Sequence, residues 1–136
     1  MNKILLSVLG VLLALAAVGG GLRLARNQLD AKVVRFNNNA NDLLLGLQQY
    51  KEFTGAYPSG SNLDISKALS GQSNAKVFIL ASGRSDRNQK GEIVDPWGTP
   101  VQFYISGNSV LIRSAGPNQV WEDSSVATSD DLFRSN

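Results

Sequence analysis

The chain has 136 residues, which is enough for one domain and little more. It contains no His and no Cys, which excludes Ser-His-Asp and Cys-His catalysis, disulfide bonds, and zinc sites with His or Cys ligands. The net charge of +2 comes from Lys3 and Arg23, because residues 24–136 hold 11 basic and 11 acidic residues. This balance argues against a phosphate-binding patch for nucleic acid.

The first predicted element is an uncharged, mostly apolar run of 19 residues, Ile4–Leu22. Lys3 precedes the run, and Arg23 and Arg26 follow it. As a helix it would be about 28 Å long, close to the thickness of a bilayer's hydrocarbon core. The run therefore predicts export or membrane insertion.

Two interpretations of this run remain open. In the first, it is a cleaved signal peptide, with Lys3 as its basic end and Ala14-Leu15-Ala16 as an A-x-A cleavage site. In the second, it stays on the protein as a membrane anchor. The positive-inside rule does not decide between them, because basic groups flank the run on both sides.

The residues that follow favour the retained anchor. Apolar or small residues recur at steps of three and four: Leu22, Ala25, Leu29, Val33, Phe36, Ala40, Leu43, Leu47 and Tyr50. No Pro interrupts residues 1–57, so the pattern predicts one helix from about residue 3 to residue 53. The alternative is two helices separated at Gly19-Gly20-Gly21, because each Gly destabilises a helix interior.

Shorter elements are predicted after this helix. Thr54-Gly55 is expected to end it, with Gly near the C′ position. Asp64 is expected to cap a short helix, Ile65–Leu69. The apolar run Val77–Leu80 predicts either a strand or a buried lid segment.

A turn and a hairpin are predicted next. The Asp95–Pro100 segment holds two prolines and a glycine, which predicts a rigid turn that places Trp97 in the core. Val101–Ile105 alternates with a period of two, and Gly107-Asn108 is typical of a hairpin turn. Val110–Ser114 is the predicted return strand, and the residues after Pro117 are interpreted as a polar tail.

Four segments now occur in an order that is typical of one known family. They are Tyr50-Lys51…Thr54-Gly55-Ala56-Tyr57-Pro58, Asp95-Pro96-Trp97-Gly98-Thr99-Pro100, Arg113-Ser114-Ala115-Gly116-Pro117-Asn118 and Thr128-Ser129-Asp130-Asp131-Leu132. With the preceding helix and the hairpin, they resemble the major pseudopilin of type II secretion systems, a type IV pilin-like family. The resemblance covers residues 40–133 by motif and residues 1–40 by architecture only.

The resemblance implies an α+β, pilin-like fold with a structural role. A long N-terminal helix would place its apolar half, residues 1–24, in the bacterial inner membrane as a single span. Residues 25–136 would form an extracytoplasmic globular domain in the periplasm, with the second half of the helix on a small antiparallel sheet. Partners would be further copies of the chain, or other pilin-like subunits, which associate through the N-terminal helix into a filament.

The resemblance also implies a calcium site in the C-terminal loop. By position, Asn118 matches the family's first acidic ligand, and Asp130 and Asp131 match the acidic pair near the loop's end. Carboxylates and carbonyls are the oxygen ligands that calcium requires. Glu122 and Asp123 are either extra ligands or a solvated turn, and the solvated turn is the expected arrangement.

The chain departs from the family at its N-terminus. It lacks the usual prepilin cleavage motif, in which a Gly precedes the Phe or Met that begins the apolar helix. It also has no acidic residue before Asp30, where the family carries a glutamate.

No catalytic pattern accompanies these features. The chain shows no nucleophile–base pair, no P-loop and no dinucleotide fingerprint, so we predict a protein that is not an enzyme and has no small-molecule substrate. The alternative function is a soluble, extracytoplasmic calcium-binding domain released from a cleaved signal peptide.

Overall fold

The computed structural model describes the backbone of residues 3–72 and 86–136, with side chains from residue 19 onward. The predicted strand or lid segment Val77–Leu80 lies outside the described residues. The chain divides into two units, Met1–Lys32 and Val33–Asn136. Each unit is described by itself below.

The first helix, α1, spans Lys3–Thr54, so the prediction of one helix is confirmed and Gly19-Gly20-Gly21 lie within it. It ends as predicted. The Thr54 hydroxyl donates to the Tyr50 carbonyl at 2.8 Å, and Gly55 takes a positive φ of 88° while its N–H donates to the Lys51 carbonyl. A left-handed residue at this position closes a helix, and Gly adopts it without a side-chain clash.

In the first unit, the described side chains of α1 are all exposed. They include three leucines, Leu22, Leu24 and Leu29, which are 68%, 66% and 41% exposed. Over the part of the chain whose side chains are described, no helix is both long and apolar enough to cross a bilayer. Residues 1–18 of the predicted membrane segment lie outside that part.

In the second unit, one face of α1 forms the core. The buried residues of this face repeat the predicted stripe: Phe36, Ala40, Leu43, Leu47 and Tyr50. They pack with apolar side chains from the rest of the unit, including Ile65, Leu69, Ile93, Val101, Val110 and Ile112. Burial of these side chains is the main force that holds the helix on its partners.

The second helix, α2, spans Asn62–Leu69 and begins earlier than predicted. Ser61, not Asp64, is its N-cap: the Ser61 hydroxyl accepts the Asp64 N–H at 3.3 Å, and the Asp64 carboxylate accepts the Ser61 N–H at 2.8 Å. This reciprocal pair of hydrogen bonds is a capping box. Asp is also a common N-cap residue, so the sequence alone does not show whether Ser61 or Asp64 is the cap.

The sheet has three antiparallel strands in the order β1-β2-β3. β1 is Gln102–Ser106 and β2 is Ser109–Ser114, which confirms the predicted hairpin. β3, Leu132–Ser135, was not predicted and pairs with β2 from Ser114↔Leu132 to Leu111↔Ser135. The four residues of β3 carry too little periodicity to predict a strand, and their pairing with β2 places them in the sheet.

The Asp95–Pro100 turn precedes the sheet and is fixed by a buried carboxylate. Asp95 is 3% exposed, and its Oδ1 accepts the N–H groups of Trp97 and Thr99 at 3.0 and 2.9 Å. Trp97 packs against the core but is only partly buried, so its predicted place in the core interior is corrected to the core's edge. The chain is thus α+β, with a long helix packed on a small antiparallel sheet.

Candidate metal centre

The C-terminal loop, residues 115–131, connects β2 to β3. Because Ser114 and Leu132 are paired across the two strands, the loop begins and ends at neighbouring points of the sheet. Side chains that lie near the two ends of the loop are therefore brought close together although they are far apart in sequence.

Three carboxylates of this loop form a cluster. Glu122, Asp130 and Asp131 each offer one oxygen, and these oxygens all lie within 4.8 Å of one another. All three residues are partly buried. The Glu122 carboxylate also accepts the Asp130 N–H at 2.9 Å, which ties the middle of the loop to its end.

Two oxygens of this cluster are unpaired. Oδ1 of Asp130 and Oδ1 of Asp131 are both buried, and neither has a hydrogen-bond partner among the residues that the structure describes. The other oxygen of each carboxylate is occupied: Asp130 Oδ2 accepts the Asn118 N–H at 3.2 Å, and Asp131 Oδ2 accepts the Arg113 Nε–H at 2.6 Å. Buried carboxylate oxygens are normally paired, so these two fit a site for a cation.

The donor set indicates the kind of cation. Three carboxylates with no nitrogen or sulfur ligand suit a hard ion such as calcium, which takes six to eight oxygens at about 2.3–2.6 Å. Glu122, Asp130 and Asp131 would supply the charged ligands, and loop carbonyls and water would complete the shell. The side chains present therefore fit the ion that the family resemblance implies.

A glycine makes room for the cluster. Gly116 has a φ of 68°, a conformation that L side chains rarely adopt. A Cβ at this position would overlap the Asp130 carbonyl oxygen and would lie 2.8 Å from Asp130 Oδ1. The Gly116 N–H donates to the Ser114 hydroxyl at 3.0 Å, and that hydroxyl donates to Asp95 Oδ2 at 2.6 Å. The Asp95–Pro100 turn is thereby connected to the entry of the loop.

Asn118 lies beside the cluster, but its side chain is engaged elsewhere. The residue is exposed, its N–H donates to Asp130, and its Oδ1 accepts the Val120 N–H at 2.8 Å. The adjacent Gln119 has a φ of 60°, which marks a tight turn. Of the three predicted ligands, the structure brings the carboxylates of Asp130 and Asp131 together and directs the side chain of Asn118 into this turn.

Glu122 is the member of the cluster that was not among the three predicted ligands. The sequence left Glu122 and Asp123 as either extra ligands or a solvated turn, with the turn expected. The structure partly buries Glu122 and places its carboxylate in the cluster, as the first alternative requires. Asp123 is exposed, and hydrogen bonds from Ser125, foremost from its backbone N–H, hold the pKa of Asp123 below its ordinary value. The sequence signal for Glu122 is an acidic residue in the same loop as Asp130 and Asp131, at a point where Asn118 offers no carboxylate.

Comparisons of the chain with protein-family models, with curated proteins and with solved structures find no match. The function proposed below is therefore supported by the sequence motifs together with the geometry of the second unit and its C-terminal loop.

Proposed function

We propose that this chain is a non-catalytic assembly subunit that resembles the major pseudopilin of a type II secretion system. Residues 1–24 anchor it in the bacterial inner membrane, and residues 25–136 lie in the periplasm. The observation that carries the proposal is the C-terminal loop. At the place where the family motif puts an acidic pair, the carboxylates of Asp130 and Asp131 lie together, and each has a buried oxygen without a described hydrogen-bond partner.

The fold of the second unit supports the same proposal. The buried face of α1 is covered by a small antiparallel sheet, and the acidic loop follows the β1–β2 hairpin. This is the order of elements that the resemblance implies. The Asp95–Pro100 motif also has a structural reason to be present, since its buried Asp95 supports the residue that leads into the loop.

Assembly through the helix is supported by the first unit. Leu22, Leu24 and Leu29 expose apolar side chains on α1. Large apolar side chains on a helix are stabilised when a second helix or lipid covers them. Copies of the same helix, or the helices of other pilin-like subunits, are the partners that we propose.

Calcium is the proposed ligand of the C-terminal loop. When bound, it would neutralise the carboxylates and hold the loop closed, in a chain that has no Cys with which to close it by a disulfide. Glu122, Asp130 and Asp131 would hold the ion. Its role here is structural: it stabilises the surface that a subunit presents in an assembly.

Cysteine crosslinking in cells tests the assembly role, since the natural chain contains no Cys. Single-cysteine variants Leu22→Cys and Leu29→Cys should form disulfide-linked dimers, or disulfide-linked adducts with other pilin-like subunits, in the membrane fraction under mild oxidation. A matched variant with its cysteine in an exposed loop of the second unit, Ser59→Cys, should give far fewer. Equal yields from all three variants would contradict a helix-mediated assembly.

N-terminal sequencing of the mature chain separates the proposal from its alternative. A retained apolar segment in the membrane fraction is the expected result. A soluble monomer that begins after Ala16 would instead identify a calcium-binding domain released from a signal peptide, and the assembly proposal would be wrong.

A further inference from the structure

Arg113 is a basic residue that lies against the three-carboxylate cluster. It lies on β2, one residue before the end of the strand, and its side chain is 18% exposed. We propose that Arg113 is a positioning residue that preforms the calcium site before the ion arrives. This inference deepens the proposed function and rests on its calcium site.

The guanidinium contacts two members of the cluster at once. Its Nε donates to Asp131 Oδ2 at 2.6 Å, and its second terminal nitrogen forms an ion pair with the same carboxylate. That terminal nitrogen also donates to the Glu122 carbonyl. One rigid, planar group therefore sets the spacing between Glu122 and Asp131, the two ligands at opposite ends of the loop segment 122–131.

The contact with Asp131 is made to one oxygen only. Oδ2 accepts from Arg113 and also from the Glu122 N–H at 3.4 Å, whereas Oδ1 is buried without a described partner. Because Oδ2 is held, the carboxylate cannot rotate freely, and Oδ1 is left as the oxygen that is available to an ion. Hydrogen-bonded partners of metal-ligating carboxylates orient them in this way.

The guanidinium is itself held in place. The Trp121 ring centroid lies 5.2 Å from its central carbon, and the Phe133 ring centroid lies 5.4 Å from it. Both distances are within the range of cation–π contacts. Trp121 directly precedes Glu122, and Phe133 is on β3 two residues after Asp131. The rings that contact Arg113 therefore belong to residues close in sequence to the ligands that it orients.

Two physical effects of Arg113 have opposite signs, which makes the inference testable. As a positive charge, the guanidinium repels calcium and should weaken its binding. Because it orders the loop before the ion binds, the guanidinium reduces the conformational entropy that residues 115–131 would otherwise lose on binding, and so should strengthen binding. We infer that the ordering effect dominates. The reason is that the guanidinium holds two parts of the loop at once, the Glu122 carbonyl in its middle and the Asp131 carboxylate at its end.

The experiment uses the full-length protein in detergent, with Arg113→Met and a matched control, Arg134→Met. Arg134 is on β3 and donates to Asn41 Oδ1 at 3.2 Å, and it is not a member of the cluster. Calorimetry measures the calcium Kd, and hydrogen exchange in the presence of chelator measures the order of residues 117–131. Arg113→Met should weaken calcium binding by about tenfold or more and should speed exchange in the loop, whereas Arg134→Met should change neither.

The outcomes are distinguishable. Calcium binding that is unchanged or tighter in Arg113→Met would overturn the inference, since only the repulsive charge would then matter; unchanged loop exchange would overturn it as well. Slow exchange in residues 36–50 checks that Arg113→Met is folded. If Arg113→Met does not fold, Arg113→Lys is used in its place, since it keeps the positive charge but loses the planar guanidinium. A wild-type protein that does not bind calcium would refute the metal site and this role of Arg113 together, while the crosslinking experiment would still decide the assembly role.

Discussion

The buried face of α1 and the C-terminal loop are stabilised by different means. The helix face consists of apolar side chains that repeat at helical spacing and are almost fully buried, such as Leu43 and Leu47 at 2% and 0% exposure. The loop is held by hydrogen bonds and by the Arg113 guanidinium, and two of its buried carboxylate oxygens have no partner among the residues that the structure describes. The buried apolar face stabilises the fold. The buried carboxylate oxygens of the loop lower the stability, and a bound cation can restore it.

The largest effect is expected on the helix face. Leu47→Ala removes a fully buried side chain and should lower the free energy of unfolding by about 2–5 kcal/mol. Leu45→Ala, on the same helix but at a side chain that is 59% exposed, should change it by less than about 0.5 kcal/mol. Denaturation of both variants, followed by circular dichroism, checks the difference. Equal losses would mean that this face of α1 does not form the core.

Calcium should have the next largest effect, and it should act through the loop. Calcium at about 100 times its Kd should stabilise the wild type by about 2.7 kcal/mol, as measured by the shift in Tm. Asp131→Asn should abolish the shift because it removes a buried carboxylate of the cluster. Asp123→Asn, at an exposed position outside the cluster, should retain it. A shift that survives in Asp131→Asn would place the ion elsewhere.

Gly116 tests how closely the loop is packed. Gly116→Ala combines backbone strain with an overlap between the new Cβ and the Asp130 carbonyl, so it should destabilise the protein by about 1–3 kcal/mol and weaken calcium binding. Gly98→Ala is the matched control, since Gly98 also has a positive φ but open space around it. Its loss should be smaller, with calcium binding unchanged. Thermal melts with and without calcium separate the two contributions.

The smallest effect is expected at the start of α2, and it depends on pH. Hydrogen bonds from the Ser61 hydroxyl and then from its backbone N–H hold the pKa of Asp64 below its ordinary value. The ionised carboxylate therefore stabilises the folded state above about pH 4, and this contribution is lost as the pH falls through the folded-state pKa. Asp64→Asn should lower the Tm slightly at pH 7, and the difference should shrink as the pH falls below 4. A difference that grew towards acid pH would reverse the sign of this linkage.

The same difference between the helix face and the loop separates the features that the sequence predicts from those that it does not. The stripe from Phe36 to Tyr50, the helix end at Gly55 and the β1–β2 hairpin were predicted and are confirmed. Each depends on a pattern within a few turns or a few residues. The predicted position of the α2 N-cap, Asp64, was wrong by three residues. Both members of the capping box, Ser61 and Asp64, are residue types that can cap a helix.

The candidate site was predicted only in part, for a physical reason. Asp130 and Asp131 were named from a short motif. Glu122 joins them from within the same loop, and Arg113 joins them from β2, through contacts that local spacing does not reveal. Nothing in the spacing of these residues distinguishes a ligand from a solvated charge. The pairing of β2 with β3 brings the two ends of the loop together.

By itself, the sequence determined the helix, its apolar face, the hairpin and the absence of His and Cys chemistry, because these follow from side-chain type and local periodicity. The tertiary structure decided which polar groups are buried. Only packing buries Oδ1 of Asp130 and Oδ1 of Asp131 with no partner in the described part of the chain, and only packing places the Arg113 guanidinium against the Asp131 carboxylate. Desolvation depends on what surrounds an atom in space, and that environment is assembled from parts of the chain that local patterns do not connect.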